Sequence, residues 1–189
     1  MSTQTHVART GPVVPPGRWV VDPAHSTVEF AVKHMGIATV RGRFNEFQGT
    51  LEVAEDLARS RASGTVTVAS ITTNEPDRDA HLRSPDFFDA ERYPAIGFES
   101  TRIEAIDDTS SRVFGNLTMH GVAREVKMEV VISGTDEDPW GNTRVGLEAV
   151  GAIKRSDFDM KFNQALGSGN MLVGDKVTIS LDISAIKEA

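Results

Sequence analysis

Four of the chain's five histidines, His25, His34, His81 and His120, are scattered along the sequence after the N-terminal tail. None shows the H-x-H or H-E-x-x-H spacing that holds a metal on one element. A metal-assisted enzyme would need folding to bring His34 and His81 to a carboxylate such as Asp79 or Asp86. His120 lies in "MHGV" and reads as a turn residue. His25 follows Asp22–Pro23 and falls off the apolar parity of its segment. His34 differs: in "DPAHSTVEFAVKHMG" it shares parity with Val28, Phe30 and Val32, so an ionisable ring ends a greasy face. Two readings stay open, a core histidine with one backbone partner and a polar group at the mouth of an apolar cavity.

Nucleophilic chemistry finds little support. There are no cysteines, which excludes disulfides, thiolate catalysis and cysteine-based zinc sites. No G-x-S-x-G elbow occurs. With 27 acidic residues a carboxylate pair could arise anywhere, so acidity alone points to nothing. Two further clusters could meet a ligand. "DRDAHLRSPDFFDAERYP" gathers Arg78, Asp79, His81, Arg83 and Asp86 around Leu82, Phe87 and Phe88. It reads either as a plug with charges facing water or as a lid whose polar groups meet a head group. In "IKRSDFDMKFN", Arg155 and Asp157 form either a surface ion pair of little energetic worth or a buried polar device beside an apolar strand.

The elements that must position these residues are strands. Period-2 alternation dominates from Arg18 onward. Val126, Met128, Val130 and Ile132 share one face of "VAREVKMEVVIS", and Val177, Ile179, Leu181 and Ile183 share one face of "KVTISLDIS". Such runs predict eight or nine strands, near 18–35, 38–44, 48–54, 64–73, 95–106, 112–119, 122–133, 142–155 and 175–186. His120–Gly121 predicts a tight hairpin turn. The 74–94 connection carries helix signals instead: Asn74 as a cap for one short helix, and Ser84 before Pro85 and Asp86 as the start of a second. Consecutive antiparallel strands with one apolar face close as a sandwich or a barrel. Long strands, few aromatics and many small or β-branched inward residues fit a barrel wide enough for one slender ligand.

Length and charge bound the rest. At 189 residues the chain reads as a single domain over 18–189, after a flexible Thr- and Pro-rich tail over 1–17. Net charge is −7, which disfavours a nucleic-acid partner. No window approaches the apolar length of a membrane span. No h-region or cleavage pattern appears near the N-terminus, which predicts a cytoplasmic location.

The motifs "WVVDPAHSTVEFAVKHMG", "VRGRFNEFQGTL", "RDAHLRSPDFFDAERYPAIGFES", "GNLTMHGVAREV" and "RSDF", in this order and spacing, resemble the YceI-like polyisoprenoid-binding family from about Gly17 to Ile186. The resemblance implies an all-β fold, an extended eight-stranded antiparallel lipocalin-like barrel with short helices in the 74–94 connection. It implies a long isoprenoid or other apolar lipid in the interior, no cofactor and no established enzymatic activity. One departure stands out: the family usually carries glycine after the "RSDF" phenylalanine, where this chain has Asp159.

Parity and resemblance together assign residues. The tail cavity is expected from Val28, Phe30, Val32, Val66, Val68, Phe98, Val126, Met128, Val130, Leu147, Ile179 and Leu181. The head group is expected at His34, Arg78, His81 and Arg155, with Phe87 and Phe88 as a gate. The function expected is a carrier of a prenyl diphosphate- or quinone-class lipid, with a homodimer allowed. The alternatives are a structural barrel with a filled interior, or a metal-assisted enzyme using His34 and His81.

Overall fold

The computed structural model describes residues 14–189. The tail expected over 1–17 lies outside the described residues up to position 13. From Val14 the chain already belongs to the barrel, because Val14 packs on the interior and the Pro15 carbonyl accepts a hydrogen bond from Trp19 Nε1 at 3.1 Å.

Eleven strands build the fold: β1 (Gly17–Val21), β2 (Thr27–His34), β3 (Ala38–Phe44), β4 (Phe47–Val53), β5 (Arg61–Thr67), β6 (Ile71–Thr72), β7 (Ala95–Ala105), β8 (Ser110–Met119), β9 (Val122–Glu137), β10 (Thr143–Lys154) and β11 (Val173–Lys187). They occupy eight positions of one closed antiparallel meander. β11 pairs with β2 through Val177–Asp182 and with β1 through Ala185–Lys187, so β1 and β2 are two halves of one bent stave. β3 and β4 form the next stave, and β5 and β6 the third. The β1–β11 pairing closes the barrel and leaves no free edge along most of its height.

The single runs expected at 18–35 and 64–73 are each broken by a 3₁₀ turn, Pro23–His25 and Val68–Ser70. At the first break Asp22 caps the turn by accepting from the Ala24 N–H at 3.0 Å, and Pro23 cannot continue the ladder. Arg144 fixes this kink to the next hairpin. Its Nε donates to Asp138 at 2.7 Å and its Nη1 to Asp22 at 2.8 Å. The hydrogen bonds from Arg144 and His25 hold the Asp22 carboxyl down at about 2 despite partial burial.

The 74–94 connection holds one helix, α1 (Pro76–Arg83), not two. Its N-cap is Glu75, one residue after the expected Asn74; the Glu75 carboxylate accepts from the Arg78 N–H at 2.6 Å. Ser84 ends α1 rather than starting a second helix, because its hydroxyl donates to the His81 carbonyl at 2.7 Å. Residues 85–92 then run through successive turns.

Both described ends of the chain, and the 54–60, 106–109 and 138–142 loops, lie at one end of the barrel. The 35–37, 73–94, 120–121 and 155–172 segments lie at the other. At the first end, Trp19, Val145 and Ala185 are almost wholly buried and fill the side under β1, β10 and β11. At the second end, Leu117, Met119, Phe158 and Met160 form a smaller core. His120 (φ 53) and Gly121 (φ 74) make the tight turn between β8 and β9, and His120 Nδ1 lies 2.9 Å from the Phe158 carbonyl.

Candidate functional site

The barrel interior holds a cavity of about 520 Å³ that is open to solvent. Its wall is built by alternation, since every second residue of each stave faces inward. Val28, Phe30 and Val32 of β2, Val66 of β5, Phe98 of β7, Val126, Met128 and Val130 of β9, Leu147 of β10, and Ile179 and Leu181 of β11 all line it. Val68 does not. It belongs to the 3₁₀ turn that ends β5, where the strand parity is lost, and it is buried in the wall instead.

The ends of the cavity differ. At the end holding the described chain termini the lining includes Arg61, Asp107, Asp108 and Thr109, all exposed, together with the inward hydroxyl residue Ser111. At the opposite end Leu82, Phe87, Phe88, Arg155 and Met160 line it, and each is buried or half-buried. Solvent therefore meets the lumen at the 106–109 loop. Phe87 and Phe88 stand at the closed end, where Phe88 packs edge-on against Phe44 with ring centroids 5.8 Å apart.

Of the four residues expected at a head group, only Arg155 lines the cavity. It is 5% exposed. Its Nε donates to the Gly174 carbonyl at 2.9 Å, Nη1 to Met160 at 2.9 Å and Nη2 to Val173 at 3.3 Å. Burial pushes its pKa below the usual arginine value, and the Asp175 carboxylate opposes that shift. Among the described residues no carboxylate reaches ion-pair distance of Arg155. The guanidinium carries five N–H donors, and these contacts engage three. Asp159 follows the turn with φ 59, the left-handed conformation that glycine adopts freely and aspartate tolerates.

The other three lie elsewhere. His34 is exposed and sits at the tip of β2, paired with Ala38 and Val173; Val173 lines the cavity, but His34 does not. Arg78 is spent on Thr73, with Nε 2.7 Å from its hydroxyl and Nη2 3.0 Å from its carbonyl. His81 Nε2 lies 2.8 Å from Asp86 Oδ2, and the ring packs edge-on against Phe87 and Phe162 at 5.0 and 4.9 Å. Asp79, the other carboxylate of the metal alternative, is turned to Thr73. Burial raises its pKa, but hydrogen bonds from the Thr73 hydroxyl and N–H, at 2.6 and 2.7 Å, outweigh that and leave it lowered. Among the described residues no three His, Asp or Glu side chains gather as a metal site.

Two features of the site escaped sequence reading. The polar rim at Asp107–Ser111 is visible as a loop signal, yet nothing local says which loop borders the opening. Inward glycines on β3, β4, β5, β8 and β10 also shape the lumen, and a glycine inside a strand signals close approach of another group.

The family model of the YceI-like domain matches residues 19–185. Protein YceI of Escherichia coli O157:H7 is 38% identical over 138 residues, 72% of each chain. The chain belongs to the YceI-like family. Among solved YceI-like barrels, Burkholderia cenocepacia BcnA superposes with a TM-score of 0.76 at 25% identity, covering 87% of this chain and 98% of that one. A polyisoprenoid binding domain from Saccharophagus degradans superposes with a TM-score of 0.66 over 90% of this chain and 98% of its own, at 14% identity, a likeness of fold. Among the described residues no helix is long and apolar enough to cross a membrane.

Proposed function

We propose that this YceI-like barrel is a binding protein for a slender apolar lipid of the isoprenoid type, a prenyl alcohol, prenyl phosphate or quinone, held lengthwise in the lumen, and that it catalyses no reaction. The observation that carries this reading is the 520 Å³ lumen, open to solvent and walled largely by aliphatic and aromatic side chains. That volume lies within the usual range of small-molecule pockets. The relative from Saccharophagus degradans, described as a polyisoprenoid binding domain, supports the isoprenoid choice.

Volume sets chain length. At about 30 Å³ per water-sized group the lumen takes on the order of 15–20 non-hydrogen atoms. A C15 or C20 prenyl chain fits; a much longer one must protrude past the polar rim. Burying 15 carbons gains on the order of 12 kcal/mol, against association costs of about 4–15 kcal/mol. Micromolar binding needs no catalytic apparatus.

Charge sorts the head groups. An anionic head is repelled at the rim between Asp107 and Asp108, so a prenyl phosphate lies head-first, its head toward the two unengaged N–H donors of Arg155 at the closed end. A neutral alcohol or quinone suits the hydroxyl-bearing rim at Thr109–Ser111.

Thermal unfolding tests the reading. A ligand at a hundred times its Kd stabilises by about 2.7 kcal/mol. For a chain of this size that raises Tm by on the order of 5–10 °C. Farnesol and geranylgeraniol are expected to do so. No shift with either, at any concentration they reach in solution, contradicts the proposal.

A further inference from the structure

Three inward glycines lie beneath large inward side chains of a neighbouring strand. The Phe30 ring of β2 covers Gly42 of β3, the Phe98 ring of β7 covers Gly115 of β8, and the Met128 thioether of β9 covers Gly151 of β10. Phe30 and Gly42 are direct partners in the ladder, as are Met128 and Gly151. In each pair the space a Cβ would need is already taken by the covering side chain; at Gly115 it would fall 2.5 Å from Phe98 Cζ. All three covering side chains line the cavity.

A side chain normally stands roughly perpendicular to the sheet. Three of the largest inward groups standing upright would meet near the axis of an eight-stranded barrel, whose interior is only wide enough for side chains to fill or for one small ligand. Lying down onto glycine removes that bulk from the axis. We infer that Gly42, Gly115 and Gly151 set the bore of the lumen and thereby which chains it accepts: they are the beds that let Phe30, Phe98 and Met128 lie against the wall, leaving room for a methyl-branched chain rather than a straight one. This rests on the lumen being a ligand site, as proposed above.

Gly42 is the cleanest position to test. The nearest atoms to an added Cβ there are Phe30 Cε1 and Cζ, at the tip of a ring that can swing, and then Thr73 Cγ2 at 2.9 Å, held by its hydroxyl bonds to Asp79 and Arg78 and needing to give only slightly; Gly42 has an ordinary strand φ. At Gly115 and Gly151 the added atom also meets a backbone carbonyl, of Glu99 and Lys127, which cannot move without breaking the ladder. Gly42→Ala therefore forces the Phe30 ring off the wall and into the lumen while the barrel keeps its hydrogen bonds.

The experiment is a binding cycle with two probes, branched geranylgeraniol and straight-chain dodecanol, on wild type, Gly42→Ala and the double variant Gly42→Ala/Phe30→Ala. Gly42→Ala is expected to raise the geranylgeraniol Kd at least tenfold and the dodecanol Kd less than threefold. Removing the displaced ring in the double variant is expected to restore geranylgeraniol binding to within threefold of wild type. Unchanged geranylgeraniol binding in Gly42→Ala overturns the inference, as does an equal loss for both probes or a failure of the double variant to recover. Should Gly42→Ala not fold, Phe30→Trp, whose larger ring overhangs the Gly42 bed, is expected to give the same selective loss, and retained binding of both probes overturns the inference there. If wild type binds neither probe, the carrier reading itself fails.

Discussion

Arg155 has a structural role in the fold and, in the reading proposed above, a second role at a ligand head group. Its guanidinium staples the turn after β10 to the start of β11 through three carbonyls, in a site where leaving those carbonyls unpaired would be expensive. Arg155→Met is expected to cost about 2–4 kcal/mol in urea unfolding. It is also expected to weaken a C15 prenyl phosphate at least tenfold while leaving the matching alcohol within threefold. Equal loss for both would remove Arg155 from head-group recognition. Arg144 works differently, as an electrostatic clasp between Asp22 and Asp138. Asp22 has a depressed folded pKa of about 2, so its contribution is complete above the unfolded value near 4 and is lost as pH falls toward 2. Arg144→Met is expected to lower stability at pH 7 only modestly, since the clasp is solvent-screened. It is also expected to flatten the stability decline between pH 4 and pH 2. An unchanged acid limb would mean that other carboxylates govern acid unfolding. At this scale the sequence is readable by residue type but not by depth. Parity puts His34 in line with Phe30, yet it cannot reveal that the side chain at the strand tip is exposed and lies off the cavity wall. Arg155 was visible as a charge beside an apolar strand; that its partners are carbonyls required the fold.

Among the elements, the hairpins are what local chemistry specifies best. His120–Gly121 occupies left-handed backbone at both positions, the geometry that matches the twist of the flanking strands. A Cβ at Gly121 would also meet Tyr93 Cε1 at 2.7 Å. Gly121→Ala is therefore expected to destabilise by about 1–3 kcal/mol and to lower Tm by on the order of 5 °C. A Tm within a degree of wild type would show that the turn relaxes without strain. Strand runs with clean alternation, such as the middle of β9 and of β11, were legible because one face is buried or half-buried there while the other meets water. The breaks at Pro23–His25 and Val68–Ser70 were not. Each interrupts alternation for only three residues, and only the pairing of its two halves with one neighbouring stave reveals the kink. The helix signals at Ser84–Pro85 misled for a similar reason: the same hydroxyl that can open a helix closed the one before it.

For the whole molecule, closure and bore are separate properties. Eight staves, a β1–β11 seam and buried clusters toward each end make a barrel that resembles other YceI-like structures in fold. The ligand-sized interior depends further on which inward positions are small. The choice between a filled and a hollow interior was not legible in sequence, because it depends on rotamers set by cross-strand partners. The lumen also meets solvent at the polar 106–109 loop, opposite the aromatic segment at Phe87–Phe88, and that orientation follows from the meander as a whole. The central claim is that this lumen holds a lipid chain. Native mass spectrometry of the protein with geranylgeraniol tests it most directly, alongside Phe30→Glu, which places a charge on the lumen wall where burial without a partner is prohibitive. Wild type is expected to gain the mass of one lipid per chain, and the folded Phe30→Glu variant to gain none. Equal lipid uptake by both proteins, or uptake by neither, would contradict it.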